Sequence, residues 1–128
     1  MKKRSTPISH PDFLKGSRLE EAGDIQGAIR AYRRAARDGD VSSQSNLGSL
    51  LDDKVKPPRR DEAIYWYKRA ARRGHWVAAS NLAIHYRNLG QPRWQMHWLK
   101  VAASLGDPDA KVEIGKLQRQ LERARAGD

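Results

Sequence analysis

Four histidines, three adjacent carboxylate pairs and two arginine–lysine blocks are the clustered reactive and charged groups of this 128-residue chain. A metal site needs ligands that converge on one point, and histidines four apart on a helix would supply that. His10, His75, His85 and His97 lack this spacing, and no acid stands near His85 or His97 in sequence. The chain has no cysteine, which excludes disulfides, thiolate ligands and a thiol nucleophile. Glu20-Glu21, Asp52-Asp53 and Asp61-Glu62 are neighbours in sequence. Adjacent acids on a helix point apart, so these read as caps and solvated faces rather than an acid–base pair. Gly39-Asp40 and Gly106-Asp107-Pro108 read as turns between helices, not as a phosphate-cradling loop. No residue is assigned to catalysis, a cofactor or a metal, and the expectation is a protein that is not an enzyme.

The basic residues carry more. The chain has a net charge of +10 and a pI near 10.3. Arg30, Arg33, Arg34 and Arg37 form one block; Lys68, Arg69, Arg72 and Arg73 form a second, 35 residues on. If the two blocks stack, Arg33 aligns with Lys68 and Lys100, and Arg37 with Arg72, in a positive ladder. Such a ladder suits an acidic protein partner or nucleic acid, and it equally suits a plain solvated face. Tyr32, Trp66 and Tyr67 are expected in the core, so they are not available to stack on bases.

A repeat positions these side chains. Segments 28–39, 63–74 and 95–106 share an Ala-Ala pair at 35/36, 70/71 and 102/103 and a glycine at 39, 74 and 106. Four residues past each glycine stand Ser43, Ala78 and Ala110, followed by Asn46-Leu47-Gly48, Asn81-Leu82-Ala83 and Glu113-Ile114-Gly115. The spacings of 35 and 32 residues each hold two helical patterns joined by a tight turn. Ala63, Trp66, Tyr67, Ala70 and Ala71 form one apolar helical face. Alanine pairs, with Gly48, Ala83 and Gly115, let helices approach closely, which accounts for a mean hydropathy of only −0.85.

The patterns predict helices over about 12–22, 25–38, 41–52, 60–73, 76–89, 92–105 and 108–125, with a flexible basic tail over 1–11. Pro57-Pro58 breaks the third helix from the fourth. The fold class is all-α, a single domain over 12–125, with repeats at about 12–40, 41–74 and 76–106 and a capping helix at 108–125. No apolar run approaches a membrane span, and no apolar core follows the basic N-terminus as in a secretory signal. A soluble, cytoplasmic protein is expected.

Ala63, Trp66, Tyr67, Ala70, Ala71, Gly74, His75, Ala78, Asn81, Leu82 and Tyr86 together resemble the Sel-one-like repeat, a relative of the tetratricopeptide repeat. Gly16, Leu19, Gly23, Asp24, Ala28, Tyr32 and Ala35 resemble a plain tetratricopeptide unit. Ser43, Leu51, Gln95 and Gln118 depart from the pattern. The resemblance implies a right-handed α-solenoid of about three and a half helix pairs, with first helices lining a concave groove. Family members act mainly as adaptors and scaffolds, some bacterial ones in effector, immunity or secretion systems.

By that geometry Ser45, Asn46, Ser49, Asp52, Ser80, Asn81, Ile84, Arg87, Asn88, Glu113 and Lys116 face the groove. Asn46 and Asn81 hold equivalent places and either grip a peptide backbone or bond their own turns. Trp94 aligns with Glu62 and Gly27, positions expected to be exposed. It is either an interface anchor or packed along the edge beside Trp98. The function expected is binding of a protein or peptide, of acidic character, with no cofactor, metal or membrane span. The alternatives are a nucleic-acid-associated regulator and an immunity-type inhibitor of a toxin.

Overall fold

The computed structural model describes residues 9–127. These form seven helices: α1 (Pro11–Glu21), α2 (Ile25–Arg37), α3 (Val41–Asp53), α4 (Arg60–Arg72), α5 (Trp76–Asn88), α6 (Pro92–Ser104) and α7 (Ala110–Ala126). There is no strand among the described residues. Each helix packs on the next in sequence, and α3 also meets α5 directly. This is the layering of an all-α helical repeat, in which each unit buries its apolar face on its neighbours.

Local chemistry sets the ends. The Asp24 carboxylate accepts from the Gly27 N–H (2.9 Å) and Asp40 from the Ser43 N–H (3.0 Å), capping α2 and α3. Five helices end on a glycine with positive φ: Gly23, Gly39, Gly74, Gly90 and Gly106. After each, the next N–H reaches back to the helix: Asp40 to the Ala35 carbonyl (3.0 Å), His75 to Ala70 (3.1 Å), Asp107 to Ala102 (2.9 Å). The left-handed residue turns the chain sharply enough to lay the following helix antiparallel. Helix α3 ends without such a glycine. Its chain leaves through the proline-bearing loop, and the Arg59 N–H returns to the Leu51 carbonyl at 2.8 Å.

The core combines alanines with a few large side chains, of which Tyr32, Leu47, Leu51 and Leu82 are almost fully enclosed. Within a pair, a glycine faces a tyrosine. A Cβ on Gly16 would stand 2.7 Å from the Tyr32 ring, and one on Gly48 would stand 2.7 Å from Tyr67. Gly115 differs from the expectation of close helix approach. A Cβ there would meet only the Arg119 guanidinium at 3.4 Å, because no other described helix packs against that face.

Two boundaries move. Helix α1 starts inside the expected tail: His10 accepts from the Asp12 N–H (3.0 Å) and contacts Asp38 at 2.8 Å, so this end is anchored. The rest of the expected tail, residues 1–8, lies outside the described residues. Helix α7 starts at Ala110 rather than 108 because the Asp107 carboxylate accepts the Asp109 N–H (2.9 Å), closing a turn ahead of it.

Candidate functional site

Helices α3 and α5 are the first helices of successive pairs and meet directly, and α7 follows α6 and shares a cleft with α5. Of the residues assigned to the groove, Ser80, Ile84, Arg87 and Glu113 line one cleft of about 280 Å³ between α5 and α7. Ala83 and Leu99 lie at the same cleft, with Trp76. Ile84 is 42% exposed and Trp76 37%, so apolar surface remains open here. Asn88 is exposed and Asn81 half-buried. Lys116 pairs with Glu113 at 3.4 Å.

On α3 the sequence reading fails in part. Ser45 is only 3% exposed and unavailable to a partner. Helix α3 is wrapped by α2, α4 and α5, so more of its circumference is used. Ser49 accepts from the Tyr67 hydroxyl at 3.3 Å. Half-buried Asn46 lies against the Tyr32 hydroxyl rather than capping its own turn. Asp52 stands 3.6 Å from Nδ1 of His85, a buried ring whose Nε2 has no partner among the described residues. Sequence distance hid this pair: 33 residues separate its members, and only the packing of α3 on α5 joins them.

The basic side also changes. Arg33 donates to both carboxylate oxygens of Glu62, Nη2 to Oε2 at 2.9 Å and to Oε1 at 3.0 Å. Arg34 binds Asp12 at 3.0 Å. The expected ladder therefore loses its Arg33 rung to an internal acid, and the first block loses Arg34 as well. Arg69 lies over the Tyr65 and Trp66 rings, 5.7 and 5.6 Å from their centroids, and Lys68 is half-buried. Arg30, Arg37, Arg72 and Arg73 are exposed and make no ion pair among the described residues. Within the two blocks they are the exposed side chains with neither an acid nor an aromatic ring against them among the described residues.

Trp94 is 52% exposed. Its ring tilts at 34° to Tyr86 with centroids 6.1 Å apart, and His97 meets it edge-on at 5.6 Å. His97 in turn meets Trp98 edge-on at 4.9 Å. With Arg93 and His97, Trp94 lines an open hollow of about 610 Å³. The positions aligned with it are not exposed as expected. Gly27 is buried, where a Cβ would collide with the Asp24 cap, and Glu62 is drawn in by Arg33 and Trp66.

Burial pushes the Tyr32 and Tyr67 hydroxyls up to about 12, helped at Tyr32 by the Glu20 carboxylate that accepts its proton at 2.8 Å. Burial alone lowers His75. For Glu62, burial acts upward, but Trp66, Arg33 and Arg59 outweigh it and hold the carboxyl below its ordinary value. These shifts sit in the packing between helices, not around a shared reacting centre. Among the described residues no group of three or more histidine and carboxylate side chains is placed to hold a metal ion. No described helix is long and apolar enough to cross a membrane.

Fold and cleft together define an all-α helical-repeat protein. No family model matches the chain. An F-box protein of Arabidopsis thaliana is 38% identical to it over 64 residues. That stretch is 50% of this chain and 18% of the relative, so the chain spans less than a fifth of the relative's length.

Proposed function

We propose that this chain is a non-catalytic interaction module of the Sel-one-like or tetratricopeptide type, which binds a polypeptide along the α3–α5–α7 side. The observation that carries the reading is the convergence of Ser80, Ile84, Arg87 and Glu113, from two repeats, on one preformed cleft with exposed apolar surface. Preorganisation lowers the cost of ordering on binding, and backbone-satisfying polar groups beside apolar surface suit an extended chain.

The opposite side supports a second contact. Arg30, Arg37, Arg72 and Arg73 on α2 and on and just beyond α4 are exposed without internal acids, so a partner bearing acidic residues gains association rate there. The same four arginines favour the nucleic-acid reading as the alternative. A steep log–log salt dependence of duplex binding near physiological salt would select it.

Photo-crosslinking tests the proposal. A crosslinker at Ile84 is expected to capture a discrete polypeptide partner, whereas one at Arg72 captures less of it. Capture from Arg72 alone would transfer the function to the basic side.

A further inference from the structure

We propose that the outer face of α2 and α4 binds single-stranded nucleic acid, with the Tyr65 ring as its base-stacking platform; this rests on the basic-side contact read above and is independent of the groove. Two stripes build the face. Arg30, Arg34 and Arg37 follow one another at i, i+4 and i+7 on α2. Tyr65, Arg69 and Arg72 hold the same phase on α4, 35 residues on. The Arg33–Glu62 contact joins the two helices. Tyr65 thus stands in the second stripe where the first has Arg30. On α6 the matching places carry His97, Val101 and Ser104, so the charge is concentrated on two helices.

Tyr65 decides which polyanion fits. It is 51% exposed, yet its ring is held in place. The hydroxyl accepts from Arg69 Nη1 at 2.9 Å, and the Arg69 guanidinium lies 5.7 Å from the ring centroid. The buried Trp66 indole meets the ring edge-on at 4.9 Å. A half-open, ordered ring among guanidinia offers a base its π face, while Arg30, Arg37, Arg72 and Arg73 are exposed to meet phosphates. Bases stacked inside a duplex present no face to such a ring, so the ring adds affinity for a single strand alone. A carboxylate gains nothing from the negatively polarised face of an aromatic ring, which disfavours an acidic polypeptide here. The neighbouring acids are mostly engaged: Glu62 by Arg33, Arg59 and Trp66, Asp12 by Arg34, and Asp38 by His10. Asp61 is exposed in the first turn of α4, whereas Arg72 and Arg73 lie at the far end of that helix.

The test is a fluorescence-anisotropy titration of the intact protein with a labelled oligothymidylate, a duplex of equal length and polyglutamate, repeated over a range of salt. The single strand is expected to bind about fivefold or more tighter than the duplex. Tyr65→Ala should remove that preference and leave duplex binding unchanged, while Tyr65→Trp should keep it. Arg37→Gln and Arg72→Gln should each lower the log–log salt slope for the single strand by about 0.7. All three positions are exposed, so the variants keep the core intact. Equal binding of single strand and duplex, or a Tyr65→Ala variant that binds the single strand unchanged, would overturn the stacking platform and leave the basic-side contact standing. Binding of polyglutamate alone would overturn the nucleic-acid assignment in favour of an acidic polypeptide. Binding of none of the three would overturn the basic-side contact as well.

Discussion

Arg33 and Glu62, 29 residues apart, join α2 to the start of α4 through a two-oxygen guanidinium–carboxylate contact. Both side chains keep about a quarter of their surface or less, and Trp66 and Arg59 hold the same carboxylate. The contact ties second helices of neighbouring repeats together on the side opposite the cleft. Truncating one partner leaves the other charge partly buried, so Arg33→Met and Glu62→Gln should each cost about 1–2 kcal/mol by urea unfolding. The double variant should cost less than the sum.

The same pair sets an acid limb. Glu62 has a folded pKa below its unfolded value near 4.5, so its contribution is present above that value and is lost as pH falls through the folded pKa. Stability should decline below about pH 4.5, and Glu62→Gln should flatten that decline in pH-dependent unfolding. An unchanged limb would remove Glu62 from the account.

Glycine–tyrosine complementarity should show in volume swaps. Gly16 faces Tyr32 and Gly48 faces Tyr67, while the third pair carries Ala83 and Leu99 at the corresponding places. A larger residue on one helix accompanies a smaller one on its partner. Gly48→Ala should destabilise by about 1–3 kcal/mol, since the buried Tyr67 ring has little room to retreat. Adding Tyr67→Leu should recover part of that loss. Gly115→Ala should be neutral or stabilising by up to about 1 kcal/mol, because only a flexible guanidinium lies nearby.

Alkaline titration reports on the same rings. Burial raises Tyr32 and Tyr67 to about 12 from an ordinary value of 10. A raised folded pKa contributes stability that is present below pH 10 and lost as pH climbs through about 12. Tyrosinate absorbance should therefore show a late step that coincides with loss of helical ellipticity. Tyr67→Phe should reduce the amplitude of that step.

The helices were legible because their signals are local. Glycines after Ala-Ala pairs, capping aspartates and a 32–35-residue recurrence fix where each helix starts and turns. What the sequence hid depends on neighbours in space. Ser45 shares polar chemistry with Ser80, but only the former is walled in on three sides. Arg33 and Arg30 look alike in the basic block, yet an acid from the next repeat reaches only Arg33. Asp107 read as part of a turn, and its place in a cleft appears only when α5 and α7 are set side by side.

Hydrogen exchange with a selected groove peptide is the most direct check that this side binds. Added slowing is expected in α5 and α7, extending to α3 for longer peptides, with α2 and α4 unchanged. Slowing confined to α2 and α4 would place the interaction on the basic side and contradict the groove.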